Sequence, residues 1–115
     1  YLYNYGKYQP ALDVFSVLTL YKPFVSRYWR AAGAANQALK KFNEAIVAYD
    51  MALTTNLNDA ISYTYRGEAK ISAGLENEGV EDLKMAVQVG GGQPYYTQWV
   101  QRSKTLLSVR GLQTE

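Results

Sequence analysis

The block Lys40-Lys41-Phe42-Asn43-Glu44-Ala45 has a counterpart 34 residues earlier, Gly6-Lys7-Tyr8-Gln9-Pro10-Ala11, and another 34 residues later, Gly74-Leu75-Glu76-Asn77-Glu78-Gly79. The same offset carries Phe15 to Tyr49 to Leu83, Leu18 to Ala52 to Ala86, Trp29 to Tyr63, and Gly33 to Gly67. Self-similarity at a fixed period of this length means a stack of small supersecondary units, each too small to bury its own apolar face alone.

The residue types at these positions say which unit. A large residue stands early in a first helix, small residues stand where two helices cross, an aromatic follows the turn, and alanine, aromatic and alanine recur at four- and three-residue steps along a second helix. That is the pattern of the tetratricopeptide repeat (TPR), and the second unit is nearly complete, with Trp29, Ala32, Gly33, Phe42, Ala45, Tyr49 and Ala52 in place. Glycine inside a helix lowers its stability by about 1 kcal/mol relative to alanine, so Gly33 and Gly67 are expected where helices approach closely. The expected fold is all-α: TPR helix-turn-helix units stacked into a right-handed superhelix, an α-solenoid, with a C-terminal capping helix.

Residues 1–115 read as a single TPR domain. Residues 1–23 form a partial first repeat, 26–57 the second, 59–90 the third and 94–110 the capping helix. Tyr1 falls at the tenth repeat position, which predicts a trimmed chain lacking most of its first helix and agrees with the absence of an initiating methionine. The helices are expected near 10–20, 26–39, 43–54, 59–73 and 77–89. Pro10 suits a first helical position and Pro23 stops the first helix. Gly90-Gly91-Gly92 then ends the repeats, and Pro94 opens a last amphipathic helix through Trp99, Val100, Leu106, Leu107 and Val109. Covering the apolar end of the stack is the simplest role for that helix. Docking a partner through Tyr95, Tyr96 and Trp99 is the alternative.

Composition narrows function mainly by exclusion. Twelve basic and ten acidic residues give a net charge of +2, with the basic residues scattered rather than striped, so nucleic acid is not an expected partner. The chain has no cysteine and no histidine, which removes disulfides, thiolate and imidazole metal ligands, and the commonest nucleophile and general base. Glu76, Glu78, Glu81 and Asp82 read as a solvated helix face rather than acid-base or metal chemistry. No dinucleotide loop, phosphate-binding loop or nucleophile elbow is present. No enzyme activity, metal or cofactor is expected. No apolar stretch is long enough to cross a bilayer and nothing at the start reads as a signal peptide, so the expected compartment is the cytosol, without stable membrane insertion.

In a TPR the first helix of each unit lines the concave face. The expected peptide-binding groove therefore comprises Tyr3 and Asn4, then Arg27, Arg30, Ala34, Gln37 and Ala38, then Ile61, Thr64, Glu68 and Ile71, with Ser72 beside them. Small, apolar and hydrogen-bonding groups together suit an extended peptide, whose backbone needs partners and whose apolar side chains need pockets. Among the aromatics, Tyr8, Trp29, Tyr49 and Tyr63 sit at repeat core positions, whereas Tyr3, Tyr5, Tyr28 and Tyr65 do not. Tyr3 is the foremost candidate for ligand contact. Arg27 and Arg30, one turn apart, are suited to steering an acidic segment or to hydrogen-bonding peptide carbonyls.

In detail the repeats resemble the class II chaperones of bacterial type III secretion, TPR proteins that guard pore-forming translocators. The resemblance is carried by Tyr3-Asn4-Tyr5-Gly6-Lys7-Tyr8, by Tyr28-Trp29-Arg30-Ala31-Ala32-Gly33-Ala34-Ala35-Asn36-Gln37, by Ala45-Ile46-Val47-Ala48-Tyr49 and by the short terminal helix with Leu106 and Leu107. It implies a small bacterial cytoplasmic chaperone that keeps hydrophobic translocators soluble by gripping an extended, proline-containing segment near their N-terminus. Tyr3, Arg27, Ala34, Gln37, Ala38 and Ile61 would then line the groove. The sequence departs from the family at Lys40, where glycine is usual, and at Gly79, where alanine is usual. The family's N-terminal segment, often used for dimerisation, is not seen, and a homodimer stays open. Two other readings also remain. One is a generic TPR adaptor clamping a charged C-terminus, for which Ala31, Ile61 and Tyr65 stand where asparagine, lysine and arginine are wanted. The other is a scaffold subunit of a larger assembly.

Overall fold

A computed structural model describes residues 7–112, and every regular element among them is helical. In chain order these are α1 (Tyr8–Tyr21), α2 (Ser26–Ala38), α3 (Phe42–Thr55), α4 (Ala60–Ser72), α5 (Glu76–Gly90), a 3-10 turn (Pro94–Tyr96) and α6 (Thr97–Ser108). The repeat-based boundaries for α1 to α5 agree within two residues at each end. Contacts group the chain into two compact units, Tyr1–Leu57 and Asn58–Glu115.

The same backbone device ends α2 and α4. After α2, the Lys40 N–H donates to the Gln37 carbonyl at 2.9 Å and the Lys41 N–H to the Asn36 carbonyl at 2.8 Å. After α4, Gly74 donates to Ile71 at 3.0 Å and Leu75 to Lys70 at 2.7 Å. This paired closure satisfies the last carbonyls of a helix and needs one residue in the left-handed conformation. Gly74 supplies it with φ 89, whereas Lys40 adopts φ 63 with a β-carbon in place. Glycine would adopt this φ without penalty, and lysine there is under backbone strain. At the other end of α4, Asp59 caps the helix, its carboxylate accepting from the Ile61 and Ser62 N–H groups at 3.1 and 3.3 Å. Such a cap contributes about 1 kcal/mol.

In the first unit α1 packs on α2, and α2 on α3. The α2–α3 contact is built from Ala32, Ala35, Ala45, Ala48 and Ala52 around Tyr49, which is completely buried. A β-carbon on Gly33 would lie 2.5 Å from the Tyr49 ring, so this glycine creates the slot that admits the ring. Tyr8 and Trp29 are only half-buried. Trp29 ties down the α1–α2 connection instead, its Nε1–H donating to the Pro23 carbonyl at 2.8 Å.

In the second unit α4 packs on α5, and α6 packs on both. Three expectations need correction here. Asp82 does not share the solvated face of Glu76, Glu78 and Glu81: it is 5% exposed, accepts two bonds from the Arg66 guanidinium at 2.8 Å each, and lies 3.1 Å from the Lys70 ammonium. Gly90 does not break α5. It lies inside the helix, where a β-carbon would meet Ala60 and Val100 at 2.8 Å each. Pro94 opens the short 3-10 turn, and the α-helix proper begins at Thr97.

Helix α6 is tied to α4 in repeat register: Arg102 forms a two-pronged pair with Glu68 and Trp99 Nε1–H donates to the Tyr65 hydroxyl at 3.2 Å, each partner lying 34 residues from the other. Arg110, just beyond α6, pairs across the same interval with Glu76 at the start of α5, so the terminal helix packs against both α4 and α5.

Candidate functional site

In the first unit, Arg27, Arg30, Ala34, Gln37 and Ala38 all lie on α2. Steps of three and four residues place them along one face of the helix. Arg27 is exposed and its guanidinium carbon sits 5.3 Å from the centre of the Tyr28 ring. Arg30, Ala34, Gln37 and Ala38 are half-buried. Two methyl groups flank one carboxamide on this stretch, so a partner's main chain can approach α2 closely and meet a polar group there. Tyr3 and Asn4 lie outside the described residues.

The Gln37 carboxamide is oriented from behind. The Tyr49 hydroxyl donates to Gln37 Oε1 at 2.7 Å, having reached it through the slot at Gly33. A buried tyrosine normally requires a partner for its hydroxyl, and Gln37 is that partner.

The α4 residues stand differently. Ile61 is 3% exposed and Thr64 is completely buried. The Thr64 hydroxyl bonds the Ala60 carbonyl at 2.9 Å and the Ser103 hydroxyl of α6 at 2.9 Å, so α6 takes up the group expected to face a ligand. Glu68 and Ile71 are half-buried. Burial pushes the Glu68 carboxyl above the ordinary glutamate value, and the charge and hydrogen bonds of Arg102 only partly reverse this. The Ile71 side chain packs toward α5, within 2.6 Å of where a β-carbon on Gly79 would stand.

Sequence reasoning passed over Tyr65 as undemanded by the repeat, yet it accepts from Trp99 and lies 5.8 Å under the Arg102 guanidinium. The signal was present: Tyr65 and Trp99, like Glu68 and Arg102, are one period apart. Among the described residues no group of three acidic, cysteine or histidine side chains is placed to hold a metal ion, and no helix is long and apolar enough to cross a membrane.

No protein-family model and no curated protein matches the sequence. Solved structures do. The Yersinia enterocolitica type III secretion chaperone SycD, in complex with a peptide of the translocator YopD, superposes with a TM-score of 0.87 at 23% identity, over 94% of this chain and 82% of that one. PcrH in complex with the chaperone-binding region of PopD gives 0.88 at 20% identity, over 94% and 81%. The first TPR of Spaghetti (RPAP3), bound to the HSP90 peptide SRMEEVD, gives 0.75 at 20% identity, over 93% and 85%. The chain has a TPR fold. Its α2–α3 and α4–α5 pairs are successive helix-turn-helix units, and α6 follows them.

Proposed function

We propose that this TPR protein is a peptide-holding chaperone of the type III secretion translocator class, acting in the bacterial cytoplasm without catalysing a reaction. The α2 face carries the reading: Ala34 and Ala38 leave room for a foreign main chain and Gln37 lies between them with a pinned carboxamide. Such a surface suits an extended segment, whose carbonyls need donors and whose apolar side chains need contact with small residues. SycD and PcrH, with the same fold, were solved with translocator segments bound. Holding works by mass action: binding an aggregation-prone segment lowers the free concentration of the exposed form.

The Spaghetti domain shares the fold and holds an HSP90 tail, but that reading has less support here. A clamp for a terminal carboxylate needs cationic and amide side chains. This chain offers Ala31, a buried Ile61, and a Tyr65 already bonded to Trp99.

Co-expression with a YopD-type translocator tests the proposal. The expected result is soluble translocator co-eluting with the chain, and insoluble translocator when Ala34 and Ala38 are both replaced by phenylalanine. A translocator that stays equally insoluble with the unaltered chain would refute it.

A further inference from the structure

The three repeats differ in one linked detail. In the second, Gly33 admits the ring of Tyr49 and the hydroxyl emerges at Gln37. One period later the corresponding residues are Gly67, Leu83 and Ile71, and one period earlier Phe15 stands in the tyrosine's place. The slot-making glycine is kept between the second and third repeats, while hydroxyl and carboxamide disappear together. Both substitutes in the third repeat are apolar. Packing alone does not require the hydroxyl, since Leu83 is completely buried without one.

A glutamine carboxamide has one accepting oxygen and two N–H donors, and when unconstrained it turns either end toward a ligand. Here Oε1 receives the hydrogen of a tyrosine that is itself immobilised in the core. Turning the carboxamide over would exchange this bond for one in which Nε2–H donates to the hydroxyl oxygen, so the observed arrangement, with Tyr49 as donor, is the one that directs Oε1 inward. The half-buried carboxamide therefore presents Nε2 to whatever lies on α2.

We propose that Tyr49 is a positioning residue that fixes Gln37 as a hydrogen-bond donor, so that a bound segment must place an acceptor, a main-chain carbonyl, opposite it. The inference rests on the α2 face being the binding surface. It adds a polarity to that face: main-chain N–H groups and cationic side chains are rejected at this point, and carbonyls are accepted.

The test uses the full chain and a fluorescent YopD peptide, with affinity read by anisotropy and folding checked by circular dichroism and urea midpoint. Gln37→Glu keeps an acceptor for Tyr49 but replaces the donor with a carboxylate oxygen, and is expected to weaken binding by at least about tenfold. Gln37→Met removes the donor at similar length and serves as the second variant should the first fold poorly. Tyr49→Phe is expected to weaken binding about three- to tenfold in the unaltered chain and to have no effect on affinity in the Gln37→Met background. Unchanged affinity in Gln37→Glu, or an equal loss from Tyr49→Phe in both backgrounds, would overturn the inference while leaving the chaperone reading intact. Failure of the unaltered chain to bind the peptide would overturn both.

Discussion

Gly67 and Gly79 face each other across the α4–α5 crossing: a β-carbon on Gly79 would stand 2.6 Å from the Gly67 carbonyl oxygen, and one on Gly67 would stand 2.9 Å from the Gly79 carbonyl oxygen. Helix propensity alone favours alanine at either place by about 1 kcal/mol. At each place the nearest obstruction includes a backbone oxygen, which cannot swing aside, and overpacking of this kind costs about 1–3 kcal/mol. Gly79→Ala, which restores the residue usual in the resembling family, is therefore expected to lower the urea midpoint. A rise would show that the two helices separate freely.

Lys40 and Gly74 hold equivalent left-handed positions, but only Gly74 does so without a β-carbon. The left-handed conformation costs a non-glycine residue about 1–2 kcal/mol, and glycine's extra freedom in the unfolded chain offsets part of that. Lys40→Gly is expected to stabilise the protein by up to about 1 kcal/mol in urea titration. Gly74→Ala is expected to destabilise it by a similar amount through strain alone, since nothing lies within 4 Å of the added carbon.

These residues show what was legible in the sequence and what was not. The period of 34 located α1 to α5, because the repeat encodes turns and crossing points in small and aromatic residues. It marked Gly33 and Gly67 as close approaches for the right reason. It did not reveal that Gly79 completes the second crossing, because a repeat pattern names one residue type per position and not the partner's distance. Asp82 looked solvated because its neighbours Glu76, Glu78 and Glu81 are; only the cations of α4 on its other side draw it inward. Thr64 was assigned to an open face because the rule for that face assumes that no helix covers it, and α6 does.

Asp82 is expected to be a keystone of the second unit. Its carboxylate compensates Arg66 and Lys70, whose side chains are 18% and 14% exposed. Removing it takes the two-pronged carboxylate from Arg66 and leaves Lys70 with the exposed Glu78 at 3.8 Å, at a cost on the order of 3 kcal/mol. Asp82→Ala should show that loss in urea unfolding, whereas Glu81→Ala on the exposed face should change stability by less than about 0.5 kcal/mol.

The raised carboxyl of Glu68 gives a pH dependence of definite sign. Over the range between its unfolded and folded values, the folded state holds more protons at this site than the unfolded state. Its contribution to stability is therefore full below the unfolded value, near pH 4, and is lost as pH rises through the folded value. Thermal melts of Glu68→Gln and the unaltered chain should diverge in the variant's favour on going from about pH 4 to neutrality. A difference that shrinks over that range would mean that Arg102 outweighs burial.

The proposed chaperone role stands or falls on where a YopD-type peptide meets the chain. Amide chemical-shift mapping of the isotope-labelled protein during titration with the YopD peptide measures this directly. Saturable shifts centred on Ala34, Gln37 and Ala38 of α2 are predicted. Shifts confined to the exposed apolar side chains Val14, Val17, Leu20, Tyr21 and Phe24 of α1 and its following turn, with α2 silent, would contradict it.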